Sequence, residues 1–158
     1  MDSKLLAAAI ANKRVQYFPA AFTELPQWPD FVQLINSAKL RGDLDHRRSF
    51  YVRAPIRAQD LLQHLTKLEK VRSDLAAELA LNVQPSSAYI NLAINEEVWP
   101  SHADEEDSLF IQCEGSVKWI LDDSEYTLNA GDAIYFPSMT MHEVTALSPR
   151  AAVILTID

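Results

Sequence analysis

The sequence is poor in glycine and cysteine. It has only three glycines among 158 residues, so it lacks the closely spaced glycines that a phosphate-binding loop needs. Its single cysteine, Cys113, excludes an internal disulfide and is typical of a reducing compartment, which predicts a cytoplasmic protein. No apolar run approaches the roughly 20 residues that a membrane span needs, so we expect no association with a membrane.

A short apolar run lies close to the start of the sequence, at residues 5–11. Only Lys4 precedes this run, whereas Lys13 and Arg14 follow it. A signal peptide carries its positive charge before the apolar run. The pattern therefore predicts a short N-terminal helix.

Basic residues are outnumbered by acidic ones. The chain has 14 Lys and Arg against 22 Asp and Glu, which gives a formal net charge of −8. Proteins that bind nucleic acid present a clustered basic face, because phosphate neutralisation supplies most of their non-specific affinity. The largest local concentration of positive charge here is Arg47, Arg48, Arg53 and Arg57. We therefore expect no nucleic-acid partner, and a small-molecule or protein substrate stays open.

The two halves of the chain differ in pattern. Residues 1–82 are predicted to be mostly helical, because apolar residues in 26–42 and 54–81 recur at spacings of three and four, the second stretch as one long or two consecutive helices. Residues 83–158 contain short runs of β-forming residues separated by turn residues, which is typical of a barrel or jelly roll. We predict one α+β, mainly β domain over 1–158. Its core is a double-stranded β-helix, a jelly-roll barrel, and the N-terminal helices pack outside it.

Two of the four histidines, His102 and His142, are candidate metal ligands. His102 and Asp104 stand at i and i+2, which lie on the same side of an extended segment. His142, further along, could supply a third ligand. Two histidines and one carboxylate form the facial triad of non-haem Fe(II) oxygenases, although zinc, nickel or manganese could occupy the same ligands. His46 and His64 lie among charged or leucine-rich residues and are not expected to be ligands. The alternative for the first pair is a solvated acidic loop.

The residues around these histidines resemble a known family. "HADEEDSLFIQCEGSVKWIL", residues 102–121, resembles the first metal motif of the JmjC-type, cupin-fold 2-oxoglutarate oxygenases, most closely the ribosomal-protein hydroxylase branch. "GDAIYFPSMTMH", residues 131–142, is similar to the second motif shared by cupins, which usually has a glycine or an aromatic near the position of Met139. The resemblance covers about residues 88–157. The matching residues of the first motif are His102, Asp104, Asp107, Gln112, Gly115 and Trp119.

The resemblance implies a mechanism and a set of catalytic residues. His102, Asp104 and His142 would bind Fe(II) in the mouth of the barrel, and 2-oxoglutarate would chelate the iron while a basic side chain held its far carboxylate. Reaction with O₂ would yield succinate, CO₂ and a hydroxylated substrate. The same likeness suggests Asp107 as a residue that orients a metal ligand, although composition places it in a solvated acidic rim with Glu105 and Glu106.

The residue that would bind 2-oxoglutarate is the main departure from the family pattern. Val117 fills the position, two residues after the motif glycine, where a basic anchor is often found. Lys118 is basic but faces the opposite side of a strand unless a bulge redirects it. Arg150, on the next strand after His142, could supply the charge instead. Tyr89 and Asn91 share one strand face and could add hydroxyl and amide contacts.

Two further expectations concern the whole molecule. Only 37 residues separate Asp104 from His142, so the chain is a minimal version of the family. Because of Val117, the alternative is a metal-binding cupin that does not use 2-oxoglutarate, either another small-molecule enzyme or a ligand-binding or regulatory module. Cupins often pair, so a homodimer is expected by analogy.

Overall fold

The computed structural model describes residues 1–48, 51–92 and 98–158. In this part of the chain there are four helices, α1 Ser3–Ala11, α2 Trp28–Arg41, α3 Ala58–Gln63 and α4 Thr66–Leu79. The strands are β1 Gln16–Phe18, β2 Asp45–Arg48, β3 Tyr51–Pro55, β4 Val83–Asn91, β5 Val98–His102, β6 Ser108–Glu114, β7 Ser116–Leu121, β8 Ser124–Asn129, β9 Ala133–Phe136, β10 His142–Ala146 and β11 Arg150–Ile157. None of the helices described is long and apolar enough to cross a membrane.

The strands form two antiparallel sheets. The larger sheet has the order β1-β9-β6-β11-β4-β3-β2, and the smaller has the order β5-β10-β7-β8. The two sheets enclose an apolar interior that includes Phe110, Trp119 and Phe136. This arrangement confirms the predicted fold class, an α+β, mainly β protein with a jelly-roll barrel.

Side chains of the larger sheet alternate between two apolar clusters. On β11, Ala151, Val153 and Leu155 belong to the cluster shared with the helices, whereas Ala152 and Ile154 belong to the cluster inside the barrel. A strand buried on both faces reads as a continuous apolar run, as "RAAVILTI" does. The helices therefore pack outside the barrel, as expected.

Helix α2 begins and ends where its sequence signals predict. The backbone N–H of Gln27 donates to Asp30 at 2.8 Å, and Pro29 occupies the first turn, where a missing N–H costs nothing. Gly42 ends the helix in the left-handed conformation, with φ of 76°. The buried face of α2 consists of Phe31, Leu34 and Ala38.

The leucine-rich stretch forms two consecutive helices. Leu65, with φ of −123° and ψ of 43°, separates α3 from α4. It is nevertheless 1% exposed, and Leu61, Leu68 and Leu75 are buried with it in the outer apolar cluster. The apolar spacing of three and four therefore predicted correctly which residues are buried. The position of the break between the two helices is visible only in the backbone angles of the structure.

The first half also contains three short strands that the sequence pattern did not predict. β1 pairs with β9, and β3 pairs with β4 along its whole length, with Tyr51 opposite Asn91 and Arg53 opposite Tyr89. The half predicted to be mostly helical therefore extends the larger sheet. Strands of three to five residues carry little periodicity of their own, so their pairing partners, which are distant in sequence, decide their conformation.

Candidate metal centre

The structure brings His102, Asp104 and His142 together. His102 ends β5 and His142 begins β10, and the two residues stand directly opposite each other in the antiparallel pair. Such opposed side chains point to the same face of the sheet. Asp104 follows β5, and one ligand atom from each of the three residues lies within 4.8 Å of the others. This is the only group of three potential ligands found among the residues that the structure describes.

Hydrogen bonds fix the orientation of both imidazoles. The Nδ1 of His102 lies 2.8 Å from the carbonyl oxygen of Pro100, and the Nδ1 of His142 lies 3.0 Å from that of Thr140. A carbonyl oxygen can only accept, so each Nδ1 carries the proton when the ring is neutral. Each Nε2 then carries a lone pair, which is the form that ligates a metal.

The two Nε2 atoms face each other at 3.1 Å, and the Oδ2 of Asp104 lies 3.7 Å from the Nε2 of His142. Two lone pairs at that distance repel unless a cation lies between them. Metal–nitrogen bonds of about 2.1 Å that meet at a right angle place their nitrogens about 3.0 Å apart. The observed spacing therefore fits two adjacent ligands of an octahedral ion, with the carboxylate available as a third.

The environment keeps His142 neutral. Burial lowers its pKa and nearby His102 lowers it further, against the opposing effects of the Thr140 carbonyl and Asp104. The rings of Trp119 and Phe136 lie 5.3 and 5.1 Å from its ring. Asp104, by contrast, has a side chain that is 41% exposed. The centre is therefore shielded from water on the side of His142 and open to the mouth of the barrel on the side of Asp104.

Asp107 is a buried anchor, not part of the solvated rim that composition suggested. It accepts hydrogen bonds from the Lys13 ammonium at 2.8 Å, from the Tyr135 hydroxyl and from the Ser138 N–H at 3.0 Å. Burial alone would raise the pKa of Asp107, but these donors hold it below its usual value. The rim prediction was wrong for Asp107 because its donors come from two segments distant in sequence, the end of the first helical region and β9 with the loop that follows it.

Asp107 and Asp104 together hold the loop before β10. Ser138 binds Asp107, and the N–H of Met139 donates to the Asp104 carbonyl oxygen at 2.7 Å. Met139 has φ of 63°, the left-handed conformation that glycine adopts most easily. The loop that precedes His142 is thus tied to the segment that carries Asp104.

A cavity of about 600 Å³ opens beside the three residues. Directly opposed residues on β3, β4 and β11 share the inner face of the larger sheet. In register, Tyr51, Asn91 and Arg150 form one row, and Arg53, Tyr89 and Ala152 form the next. We call the four of these that carry polar groups and line the cavity the polar wall: Tyr51, Arg53, Tyr89 and Arg150.

Arg150 is the most buried cation of the polar wall. It is 5% exposed, and none of the described residues accepts a hydrogen bond from its Nε or Nη1. Burial lowers its pKa to about 10, although Tyr51 and Tyr89 partly oppose that shift. A buried, unpaired guanidinium is costly, and natural proteins satisfy such groups with a counter-charge. Its guanidinium carbon lies 6.0 Å from the centre of the Phe110 ring.

The other predicted co-substrate residues divide into two groups. Tyr89 lines the cavity, whereas Asn91 is 2% exposed on the same inner face but does not line it. Lys118 lies on the outer face of β7, where it pairs with Glu125 at 3.6 Å. Its neighbours Val117 and Trp119 are buried inside the barrel. β7 keeps its register with both partners, so no bulge turns Lys118 inward, and its prediction as a co-substrate residue was wrong.

Sequence reasoning missed two members of the polar wall. Tyr51 and Arg53 come from β3, which lies outside the motifs. The five residues of "YVRAP" contain one charged side chain and too little alternation to predict a strand, so the pairing of β3 with β4 was the missing information. Of the other histidines, His64 bonds to Ser37 at 2.9 Å, away from the cavity, and the side chain of His46 lies outside the described part.

Comparisons with known proteins agree with this fold. Residues 88–158 match the family model described as "Cupin domain". A comparison with curated proteins gives no match. YcfD, a ribosomal oxygenase from Escherichia coli solved in complex with cobalt and 2-oxoglutarate, is similar with a TM-score of 0.68 and 14% identity over 97% of this chain. Its complex with cobalt and succinic acid gives a TM-score of 0.68 and 15% identity over the same share.

The chain spans 51% of the YcfD chain. A cupin superfamily protein from Desulfitobacterium hafniense has a TM-score of 0.48 and 16% identity, over 85% of this chain and 95% of that one. At 14% identity, the likeness to YcfD shows the fold alone. The jelly-roll fold that the resemblance implied is therefore confirmed, and the match to a cupin domain model extends over residues 88–158.

Proposed function

We propose that this protein is a non-haem Fe(II)-dependent oxygenase that uses 2-oxoglutarate to hydroxylate a substrate. The observation that carries the proposal is the 3.1 Å approach of the Nε2 atoms of His102 and His142 beside the Asp104 carboxylate, with each Nδ1 against a backbone carbonyl oxygen. Those three residues would hold the iron. Bound there with 2-oxoglutarate and O₂, iron would supply the oxidising chemistry that hydroxylates a C–H bond.

Arg150 would bind the far carboxylate of 2-oxoglutarate. Its guanidinium is buried, lines the cavity and has unpaired N–H groups, so a carboxylate would satisfy it with charge-assisted hydrogen bonds. Burial raises the pKa of Tyr89, which keeps the hydroxyl protonated and able to donate beside it. The presence of 2-oxoglutarate in the similarly folded YcfD supports this assignment by analogy.

The surrounding residues would orient the ligands and keep water out. The Pro100 and Thr140 carbonyls hold the imidazole rings in the ligating tautomer. The Trp119 and Phe136 rings cover His142, which is 3% exposed. A half-open centre of this kind would admit substrate from the Asp104 side only.

A second candidate is a metal-binding cupin that does not use 2-oxoglutarate. Val117, at the position where the family often places its anchor, is fully buried among apolar residues and supplies no charge. In this alternative, Arg150 would bind an anionic ligand of another kind. The protein would then be a different small-molecule enzyme or a regulatory module.

Anaerobic titration separates the two candidates. We expect protein loaded with Fe(II) to develop a visible charge-transfer absorption when 2-oxoglutarate is added. The Arg150→Gln variant should need at least tenfold more 2-oxoglutarate, whereas Lys118→Gln, which removes a cation on the outer face, should match the parent. Stoichiometric metal binding without absorption or succinate formation would favour the second candidate.

A further inference from the structure

A second cation of the polar wall, Arg53, has no role in the function proposed above. It lies on β3 with its guanidinium 5.8 Å from the centre of the Tyr89 ring. Its Nε donates to the Ser87 hydroxyl at 3.0 Å, which fixes the direction of the side chain. Among the described residues, no carboxylate forms an ion pair with Arg53. Among the side chains that the structure describes, Arg53 is therefore an oriented cation of the cavity without a counter-charge.

The sheet register separates Arg53 from Arg150. Arg53 stands opposite Tyr89, one row away from the row of Arg150, and β4 lies between their strands. Two strand spacings and one two-residue step place their Cα atoms roughly 12 Å apart. The bond to Ser87 draws the guanidinium of Arg53 one more row away from Arg150. The two cations therefore occupy different levels of the cavity.

Arg53 is on the mouth side of Arg150. Ser87, to which Arg53 bonds, stands opposite Ile154 of β11. From there β11 continues to Thr156, which stands opposite Ser108. The exposed Glu105 and Glu106 lie next to Ser108 and mark the mouth of the cavity. Arg150, at the other end of β11, is 5% exposed, whereas Arg53 is partly exposed. A ligand that enters from the mouth reaches the level of Arg53 before that of Arg150.

We propose that Arg53 binds a carboxylate group of the substrate. The inference rests on the proposed function, because it assigns Arg150 to the co-substrate and leaves Arg53 for the molecule that is oxidised. The planar guanidinium matches a carboxylate in a two-point hydrogen-bonding arrangement. Arg53 is a single cation, and Arg150 is assigned to the co-substrate, so the substrate class is a small monocarboxylate that fits a cavity of about 600 Å³.

The test compares a carboxylate with its neutral amide. Protein loaded with Mn(II) and saturated with 2-oxoglutarate is titrated with phenylacetate or phenylacetamide, and with hexanoate or hexanamide. The paramagnetic broadening of the probe's proton resonances reports binding near the metal. We expect each acid to bind about tenfold more tightly than its amide, as a charge-assisted pair requires. Arg53→Gln should remove this preference, and Arg53→Lys should keep part of it.

Two controls exclude indirect effects. Lys118→Gln changes the net charge equally but lies outside the barrel, so it should keep the full preference. Thermal melts establish that each variant is folded. The affinity for 2-oxoglutarate should change less than twofold in Arg53→Gln, against at least tenfold in Arg150→Gln.

Three results would overturn the proposal: an unchanged preference in Arg53→Gln, no metal-dependent broadening of any probe in the parent protein, or a loss of 2-oxoglutarate affinity in Arg53→Gln equal to that in Arg150→Gln. The last result would assign Arg53 to the co-substrate. If 2-oxoglutarate fails to bind while the preference still depends on Arg53 in its absence, the proposed oxygenase fails and the carboxylate site stands.

Discussion

At the scale of single residues, the two facing imidazoles determine whether the centre can bind a metal ion. His102 and His142 are fixed through their Nδ1 atoms by backbone carbonyls, and this orientation points both Nε2 atoms toward the same place, where one ion could bind both. Each ligand also has a different exposure, with His142 buried and Asp104 partly open. Loss of a ligand should therefore affect metal binding far more than folding.

Substitution of a ligand tests this directly. We expect His102→Ala and Asp104→Ala each to weaken Mn(II) binding by at least tenfold, because two remaining ligands hold a divalent ion poorly. Isothermal titration calorimetry measures the affinity. His64→Ala, a change of a histidine that bonds to Ser37 on a helix, is the matched control and should bind like the parent. Unaltered affinity in both ligand variants would refute the assignment.

The buried Arg150 should cost stability. An uncompensated cation in the interior is unfavourable, and an apolar side chain of similar length removes that cost. We expect Arg150→Met to stabilise the metal-free protein by about 1–3 kcal/mol in urea unfolding at pH 7, and to lose 2-oxoglutarate binding. A destabilised variant would mean that Arg150 has a structural partner that outweighs its desolvation.

At the scale of elements, the loop before β10 combines a strained residue with a buried anchor. Met139 adopts a positive φ while its side chain is 69% exposed, so the backbone strain is not repaid by burial of the side chain. Asp107 holds the same loop through Ser138. These two residues allow the loop to be stabilised or loosened separately.

Glycine at position 139 should relieve the strain. Left-handed backbone costs an ordinary residue about 1 kcal/mol or more relative to glycine, and part of this is offset by the greater freedom of glycine in the unfolded chain. We expect Met139→Gly to leave stability unchanged or raise it by up to about 1 kcal/mol, as measured by urea unfolding. Met141→Gly, at a neighbouring exposed position without positive φ, should destabilise and is the control.

Asp107 should make stability depend on acid pH. Its pKa is lower in the folded protein than in the unfolded chain, so the folded state prefers the carboxylate. That contribution is fully present above about pH 4–5 and is lost as the pH falls through about 4 and below. We expect the stability difference between the parent and Asp107→Asn to shrink between pH 6 and pH 3 in urea titrations. A difference that stays constant over this pH range would contradict the prediction.

The sequence predicted some elements well because their signals are local. Pro29 and Gly42 mark α2 through backbone preferences that act within a few residues. The period of two in β7 predicted that Lys118 and Val117 point to opposite faces of the sheet, and the structure shows this. The bulge that would have turned Lys118 toward the co-substrate is absent. β3 could not be predicted in the same way, because five residues acquire strand structure only through pairing with β4, about 30 residues away. For that reason the sequence did not indicate that Arg53 lines the cavity.

At the scale of the whole molecule, both halves of the chain build the cavity. The match to the cupin domain covers residues 88–158 and includes the metal triad. Tyr51 and Arg53, however, come from β3 in the other half. The spatial convergence of His102, Asp104 and His142 follows the prediction from the motifs, whereas the completed wall depends on contacts between the halves. That the protein is cytoplasmic and forms a homodimer stays a prediction.

Metal binding should stabilise the molecule without being needed for folding. The apolar clusters lie beside and behind the triad, so the apoprotein keeps its core, and an ion that binds only the folded state adds stability by mass action. At a free Mn(II) concentration of about 100 times Kd, this amounts to about 2.7 kcal/mol. We expect a higher Tm with Mn(II), reversal by EDTA and no response in His102→Ala. An apoprotein that is unfolded without metal would contradict the expectation that folding does not require the ion.

The alternation along β11 has a consequence for how such a protein can change. Residues 151, 153 and 155 support the helices, whereas residues 150, 152 and 154 face the interior of the barrel, where 150 and 154 line the cavity. A variant library restricted to the even positions would reshape the ligand-binding surface while the supporting layer stays constant. The odd positions could be varied for thermal tolerance with the ligand chemistry unchanged. One eight-residue strand thus offers selection two nearly independent sets of sites, interleaved in a single peptide.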